Sequence, residues 1–501
     1  MPLLEDLLTG AQLAILVPLV VLGLHRGWMI VLCLRGRAPQ DDAALPADLP
    51  FVTVQLPIYN ERHVARRIIE AALALDWPRD RLEIQVLDDS TDDTREVARR
   101  TLDQAPDGLA TAHLSRADRV HYKAGALQAG LQQARGELIA VFDADFVPPA
   151  DFLRRLAPAF EDPQVGLVQA RWEHLNAHQS LLTRMQALLL DGHFAVEHVA
   201  RAWTGRFFNF NGTAGVFRRT CIENAGGWQG DTLTEDLDLS YRAQLRGWRF
   251  VYRPDVACPA ELPSDINAFL NQQHRWAKGA VQTARKLLGK IWRAPLPLAT
   301  RTEATFHLLG NVAFPLLLGL IVVALPLQAL RLLNHSAIPA WLAWLEGLPL
   351  LLSTLCVLAY YGLAETRVAR WRWSSVFRLP LILAIGAGLC VNNTLALVDG
   401  LRRTTGEFRR TPKLDSRQPQ PAPLRSYRPA RGPRGAMEVG LGLWALSTWG
   451  LATVLGLPFT AAFHGLFACG LLSVGSASLS AEVTSRIRID RRPALQHGLS
   501  R

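Results

Sequence analysis

Two short stretches hold the residue types that group transfer requires. Thr234-Glu235-Asp236 places two carboxylates at the head of an amphipathic run (Leu237, Leu239, Tyr241, Leu245), where the free amides of a helix N-terminus steady negative charge. Either one carboxylate works as a base, or the trio simply caps its helix. Gln272-Gln273-His274-Arg275-Trp276 presents an amide, a guanidinium and an indole face together, a set that suits a sugar ring and a diphosphate better than a hydrophobic core. Upstream of both, Asp143-Ala144-Asp145 ends the apolar run that closes with Val141-Phe142. Two carboxylates that close repel one another unless a cation lies between them and a polyphosphate. A bare strand-end turn is the plain alternative. Mg²⁺ or Mn²⁺ at Asp145 would neutralise charge developing on a leaving diphosphate.

Two further clusters fit the same chemistry less specifically. Asp88-Asp89-Ser90-Thr91-Asp92-Asp93 closes one strand and opens a helix, so it reads equally as an N-cap cluster and as a carboxylate for a nucleobase edge. Lys123, within His121-Tyr122-Lys123-Ala124-Gly125-Ala126, starts a helix where a phosphate could sit. A solvated lysine is the competing reading.

These residues need a scaffold that brings distant loops together. From 49 to 263, short β-rich runs (51–56, 84–87, 138–142, 165–169) alternate with helical stretches (64–75, 93–102, 124–134). Such alternation predicts a mostly parallel sheet with helices on both faces. Ligands of such sheets bind beyond the carboxyl ends of the strands, which is where Asp88, Asp89, Asp143 and Asp145 fall.

The remainder is too apolar for a soluble chain. Of 501 residues 49% are hydrophobic and the mean hydropathy is +0.11, so part of the chain belongs in lipid. The first span is expected within 11–34. Acidic Glu5 and Asp6 precede it and Arg26, Arg35 and Arg37 follow, which places the N-terminus outside and the next domain in the cytoplasm. Apolar runs return at 306–330, 344–363, 379–398, 439–457 and 459–479. If all five crossed, the basic loop 402–434 would lie outside, against the positive-inside rule. The run 379–398 contains Gly386, Gly388, Asn392 and Asn393 and is therefore expected to be re-entrant or interfacial. The net charge of +10 sits largely beside apolar runs, favouring an anionic membrane face over nucleic acid. Six scattered cysteines without a CxxC read as reduced packing residues.

The ordered set Pro57-Ile58-Tyr59-Asn60-Glu61, Asp88-Asp89, Tyr122-Lys123-Ala124-Gly125-Ala126, Asp143-Ala144-Asp145, Thr234-Glu235-Asp236 and Gln272-Gln273-His274-Arg275-Trp276 resembles the family 2 glycosyltransferases of the cellulose synthase superfamily. Val168-Gln169-Ala170-Arg171-Trp172, Phe210-Asn211-Gly212-Thr213-Ala214-Gly215-Val216 and Glu261-Leu262-Pro263 look like the cellulose-synthase-like enzymes that build β-1,4-mannan or β-1,4-glucan backbones. Phe408-Arg409-Arg410-Thr411-Pro412-Lys413 is similar to their gating-loop motif, with arginine where a small apolar residue is usual.

The resemblance implies an α/β GT-A (Rossmann-like) catalytic domain plus an α-helical transmembrane region. It divides the chain into an N-terminal anchor (1–48), a cytosolic GT-A domain (49–263), interfacial helices with the QxxRW signature (264–300), transmembrane helices with the re-entrant segment (301–400), a cytosolic loop (401–436) and a transmembrane hairpin with a cytosolic tail (437–501). By the same similarity, Asp89 contacts the nucleobase with Asp88 beside it, Lys123 the diphosphate, and Asp143 the ribose. Asp145 holds the metal, Asp236 is the general base, and Glu235, Gln272, Arg275 and Trp276 frame the acceptor end and the leaving diphosphate. The implied enzyme is a multi-pass protein of the inner or plasma membrane. It passes hexose from UDP-glucose or GDP-mannose, the former slightly preferred, to a growing glycan. A single transfer to a lipid acceptor, polyprenyl phosphate or ceramide, is the alternative; a non-catalytic scaffold is a third.

Overall fold

A computed structural model describes residues 2–37, 45, 48–336, 338–368, 373–402, 413 and 434–490, with side chains from 3 to 481 except at 374. The basic and proline-rich loop apart from Lys413, and the side chains of the arginine-rich tail, lie outside the described residues.

Seven strands form one sheet: β1 (Val52–Ile58), β2 (Leu82–Asp88), β3 (Ala110–Leu114), β4 (Leu138–Val141), β5 (Val165–His174), β6 (Gly215–Arg218) and β7 (Arg249–Ala260), in the order β3-β2-β1-β4-β6-β5-β7. Side chains alternate across such a sheet with period two, and β4 shows it. Leu138, Ala140 and Phe142 join a core with Ile68, Ile69 and Ala98 from the helices Ala65–Leu73 and Thr94–Leu102. Ile139 and Val141 point the other way, to Leu127, Phe194, Leu239 and Tyr252. Both faces are thus covered, as a largely parallel sheet demands.

Two features of this topology place the chemistry. β1 pairs in parallel with β2 on one side and β4 on the other, so the chain's winding reverses there and leaves a crevice beyond the carboxyl ends of β1 and β4. β6 runs antiparallel to both β4 and β5. Its entering end therefore lies over the exits of its neighbours and carries Asn211-Gly212-Thr213 into the same crevice. The sequence reading did not foresee β3, β6 or β7.

The expected interfacial helices are one 28-residue helix, Ile266–Arg293. Asp265 caps it by accepting from the amides of Asn267 (2.9 Å) and Ala268 (3.0 Å). Four helices among the described residues are long and apolar enough to cross a membrane: Leu3–Arg35, Leu298–Leu333, Ala340–Val368 and Pro458–Ala481. The run 379–398 folds as two helices, Leu379–Gly388 and Cys390–Arg402, bent by 47°, a geometry shared by broken spans and re-entrant loops. Its asparagines are buried, and Asn392 donates to the Leu270 carbonyl at 3.0 Å, so protein covers the polar groups that lipid would reject. The helix Arg434–Val454, expected as one arm of a membrane hairpin, does form. It is not among the four apolar enough to span, and it packs glycine against leucine along Pro458–Asp490, Gly442 on Leu472 and Gly435 on Leu479.

Candidate active site

Nine of the ten residues singled out from the sequence line one cavity: Asp89, Lys123, Asp143, Asp145, Glu235, Asp236, Gln272, Arg275 and Trp276. Asp88 does not. It is fully buried, bonded to His113 Nε2 (2.8 Å) and accepting from the Ser90 amide (2.8 Å), and it shapes the loop that presents its neighbour.

At one end, Asp89 is held by Arg116 in a two-pronged pair of 3.0 and 2.5 Å. Arg119 stacks its guanidinium 3.3 Å from the centre of the Tyr59 ring, and both line the cavity. Neither arginine was foreseen, because the loop that carries them has no periodic pattern. Its path does leave a trace in the sequence. His121 and Tyr122 adopt left-handed backbone angles (φ 60° and 47°), a costly conformation for such residues. A Cβ on Gly125 would lie 2.2 Å from the Val120 carbonyl oxygen and 2.4 Å from Arg116. The glycine of Tyr122-Lys123-Ala124-Gly125-Ala126 therefore lets the loop fold back against its own helix.

In the middle, the Lys123 ammonium donates to Asp143 Oδ1 (2.5 Å) and to the Gly212 carbonyl (2.7 Å). Burial alone would lower its pKa, but Asp143, Glu235 and Asp236 outweigh burial and leave it raised. Burial likewise works against the Asp143 carboxylate, and Lys123 and Lys413 overcome it, holding that pKa down. Thr213 Oγ1 accepts from the Asp143 amide at 2.9 Å, tying the entry of β6 to the exit of β4. Asp145 pairs with Lys413, the one described residue of the stretch that resembles a gating loop.

At the other end, Glu235 and Asp236 open the helix Glu235–Leu245; Thr234 makes no side-chain cap bond, whereas Asp236 Oδ1 accepts from the Leu237 amide at 2.8 Å. Asp236 is pushed up to about 7, first by burial and then by the Glu235 carboxylate beside it. The helix Ile266–Arg293 fixes this end. Gln282 Oε1 accepts from the Leu233 amide at 3.0 Å, Lys286 pairs with Asp238 at 2.8 Å, and a Cβ on Gly279 would come within 2.5 Å of Thr234. Gln272, Arg275 and Trp276 are spaced i, i+3, i+4 and share one face, which lines the cavity.

The two ends meet at Gly212 (φ 81°), where an added Cβ would be 3.0 Å from Asp236 Oδ2 and 3.4 Å from Lys123 Nζ. A carboxylate whose pKa lies near neutrality thus stands a few ångströms from a cation–carboxylate pair, an arrangement able to activate an alcohol opposite an anionic leaving group. No group of three or more His, Cys, Asp or Glu side chains forms a ready metal cage among the described residues. A divalent ion at such a site takes one or two carboxylates and draws its remaining oxygens from substrate phosphates. Asp143 and Asp145, each already holding an ammonium group, fit that requirement.

Residues 50–279 match the family model described as glycosyltransferase like family 2. Over 260 residues the chain is 47% identical to glucomannan 4-beta-mannosyltransferase 2 of Arabidopsis thaliana, covering 50% of this chain and 49% of that protein. It is 42% identical over 316 residues to probable glucomannan 4-beta-mannosyltransferase 6 of Oryza sativa subsp. japonica, covering 59% and 55%. The chain thus spans about half the length of the curated relatives it matches. Its fold is shared by the mannosyltransferase PcManGT from Pyrobaculum calidifontis, solved in complex with GDP-Man and Mn²⁺, with a TM-score of 0.55, 24% identity, and coverage of 79% of this chain and 99% of that one. Most of the cavity is thus built by residues 50–279, the stretch that is similar to the glycosyltransferase like family 2.

Proposed function

We propose that this chain is a membrane-embedded inverting hexosyltransferase that extends a β-linked glycan, with mannose as the transferred sugar. The mannosyltransferases matched at 42–47% identity favour mannose over the glucose preferred from the sequence, and of the two donors considered GDP-mannose carries it. The observation that bears most weight is the convergence of Asp236 and Lys123 on Gly212.

In this reading the nucleobase enters between Asp89 and the Tyr59–Arg119 stack, and Lys123 and Arg275 meet the diphosphate. Mg²⁺ or Mn²⁺ held by Asp145, with Asp143 beside it, supplies charge neutralisation to the departing nucleotide when bound. Asp236 takes the proton of the acceptor hydroxyl, whose oxygen forms the new bond to the anomeric carbon as the bond to the diphosphate breaks. A single displacement of this kind inverts an α-linked donor to a β-linkage. It needs no carboxylate nucleophile. Trp276 and Gln272 frame the acceptor.

The membrane arrangement belongs to the same reading: the catalytic domain faces the cytoplasm, and the helices after it pass the growing chain across the bilayer. The test is to incubate the membrane-reconstituted protein with labelled GDP-mannose and Mg²⁺ or Mn²⁺. Alkali-insoluble product cut by endo-β-mannanase is expected. Solvent-extractable label would move the assignment to the lipid acceptor, and absence of any transfer would end it.

A further inference from the structure

Behind the cavity lies a buried polar cluster that the mechanism above does not use. Asn211, at the entry to β6, lines the cavity. Its amide is held from behind by two histidines: His198 Nε2 lies 2.6 Å from Asn211 Oδ1, and Asn211 Nδ2 lies 2.8 Å from His193 Nε2. The protons can be placed from the partners. His198 Nε2 faces two oxygens, Asn211 Oδ1 and the Asn209 carbonyl (3.1 Å), so it carries the hydrogen. His193 Nε2 accepts from the asparagine, so its hydrogen is on Nδ1, directed to Glu197 Oε2 at 3.1 Å. Both rings stay neutral: burial and then Arg201 hold His198 down to about 3, and burial, with His198 and Arg201 adding to it, keeps His193 well below its usual range.

The cluster continues into the membrane region. Glu197 also meets Arg201 (3.2 Å) and Arg26, and Arg201 meets Glu303 (3.1 Å), whose other oxygen meets His25 at 2.9 Å. The amide of Asn211 is thereby fixed through Glu197 to the first membrane helix and, through Glu303, to the helix Leu298–Leu309.

A primary amide has two N–H groups and two carbonyl lone pairs. The histidines take one of each. One donor and one acceptor of fixed direction remain for the cavity, beside the glycine at which base and phosphate-binding lysine converge. A hydroxyl is both donor and acceptor, so this pair matches one sugar hydroxyl in one orientation, which is the property that separates epimeric hexoses. Resting on the hexosyltransferase reading, we infer that Asn211 reads a hydroxyl of the transferred hexose, and that His193, His198 and the ion cluster anchored on the first membrane helix hold its amide in the reading orientation.

The test compares kcat/KM on GDP-mannose and GDP-glucose, which share a base and differ at one carbon. Sites built to hydrogen-bond a hydroxyl discriminate strongly, so the wild type should favour one epimer by about 10²-fold or more. Asn211→Ala should lower kcat/KM for the favoured donor and bring the ratio to within about tenfold. His193→Ala should shift the ratio in the same direction, and His193→Gln, whose amide oxygen still accepts from Asn211, should restore it in part. An unchanged GDP affinity verifies the fold of each variant; Asn211→Ser serves if the alanine variant does not fold. Equal losses on both epimers, leaving the ratio untouched, would overturn the assignment of Asn211 alone, as would a wild type that treats the epimers alike. Wild-type protein that transfers no hexose from any nucleotide donor would overturn this inference together with the reading beneath it.

Discussion

Two long helices reach the catalytic cavity, and they do so in opposite ways. The helix Ile266–Arg293 puts Gln272, Arg275 and Trp276 on the cavity wall and braces the segment that carries Asp236 through Gly279, Gln282 and Lys286. The first membrane helix, Pro2–Arg35, places none of its residues on that wall. It acts through Arg26, Glu197 and His193 on Asn211. Direct contact needs particular side chains at fixed spacing and therefore leaves a motif. Contact through intermediaries needs only that each partner find the next, so its members are scattered from 25 to 303 and no local pattern marks them.

The contrast can be broken at several points. The largest effect on turnover is expected for Asp236→Asn, which removes the base while keeping its shape: a loss of about 10²- to 10⁴-fold in kcat, with GDP affinity unchanged by titration. The wild-type pH profile of kcat/KM should agree. In the proposed mechanism Asp236 works as the carboxylate, so activity should rise with pH through a midpoint near 7 and level off above it; a profile flat from pH 5 to 9 would remove this group from the mechanism.

Next comes Gly279→Ala. The new methyl must push Thr234 aside, and overpacking of this kind costs about 1–3 kcal/mol, so a lower melting midpoint with reduced kcat should be measured together. If kcat held while the midpoint fell, the brace would be structural only. Glu303→Gln tests the indirect route. It leaves Arg201, 2% exposed, without a charged partner there, and should lower the thermal midpoint in detergent more than it lowers kcat. Arg99→Ala, which breaks only solvent-exposed pairs with Glu96 and Asp103, should change neither measurement.

The same contrast explains what could be read in advance. Asp143, Asp236 and Arg275 stood out because each sits in a short polar string beside an apolar run, and the fold brings those strings to one cavity. Asp88 stood out for the same reason and lies elsewhere, because adjacent residues on a strand point to opposite sides. β3 was missed since Ala110-Thr111-Ala112-His113-Leu114 is an edge strand with little apolar signal. β6 was missed since four residues are too few to show alternation, and β7 since Pro254 and Pro259 interrupt its run. Asn211 was visible within a quoted motif, yet its role depends on His193 and His198, which only the folded chain sets beside it. Arg116 and Arg119 belong to a loop whose course is set by Gly125 and two left-handed residues, a geometry that composition does not announce.

The helix Ile266–Arg293 belongs to two neighbourhoods. Past Trp276 it turns toward the bent pair: Lys278 Nζ pairs with Asp399 at 2.6 Å, Arg285 donates to the carbonyls of Gly400 and Leu401, and Gly400 is notched against Val281. The cavity wall and the face packed against the bent pair are thus parts of one 28-residue helix. A change at either face can therefore be felt at the other: Asp399→Asn, which removes a charged partner of Lys278, should alter kcat or KM although Asp399 is not among the residues that line the cavity.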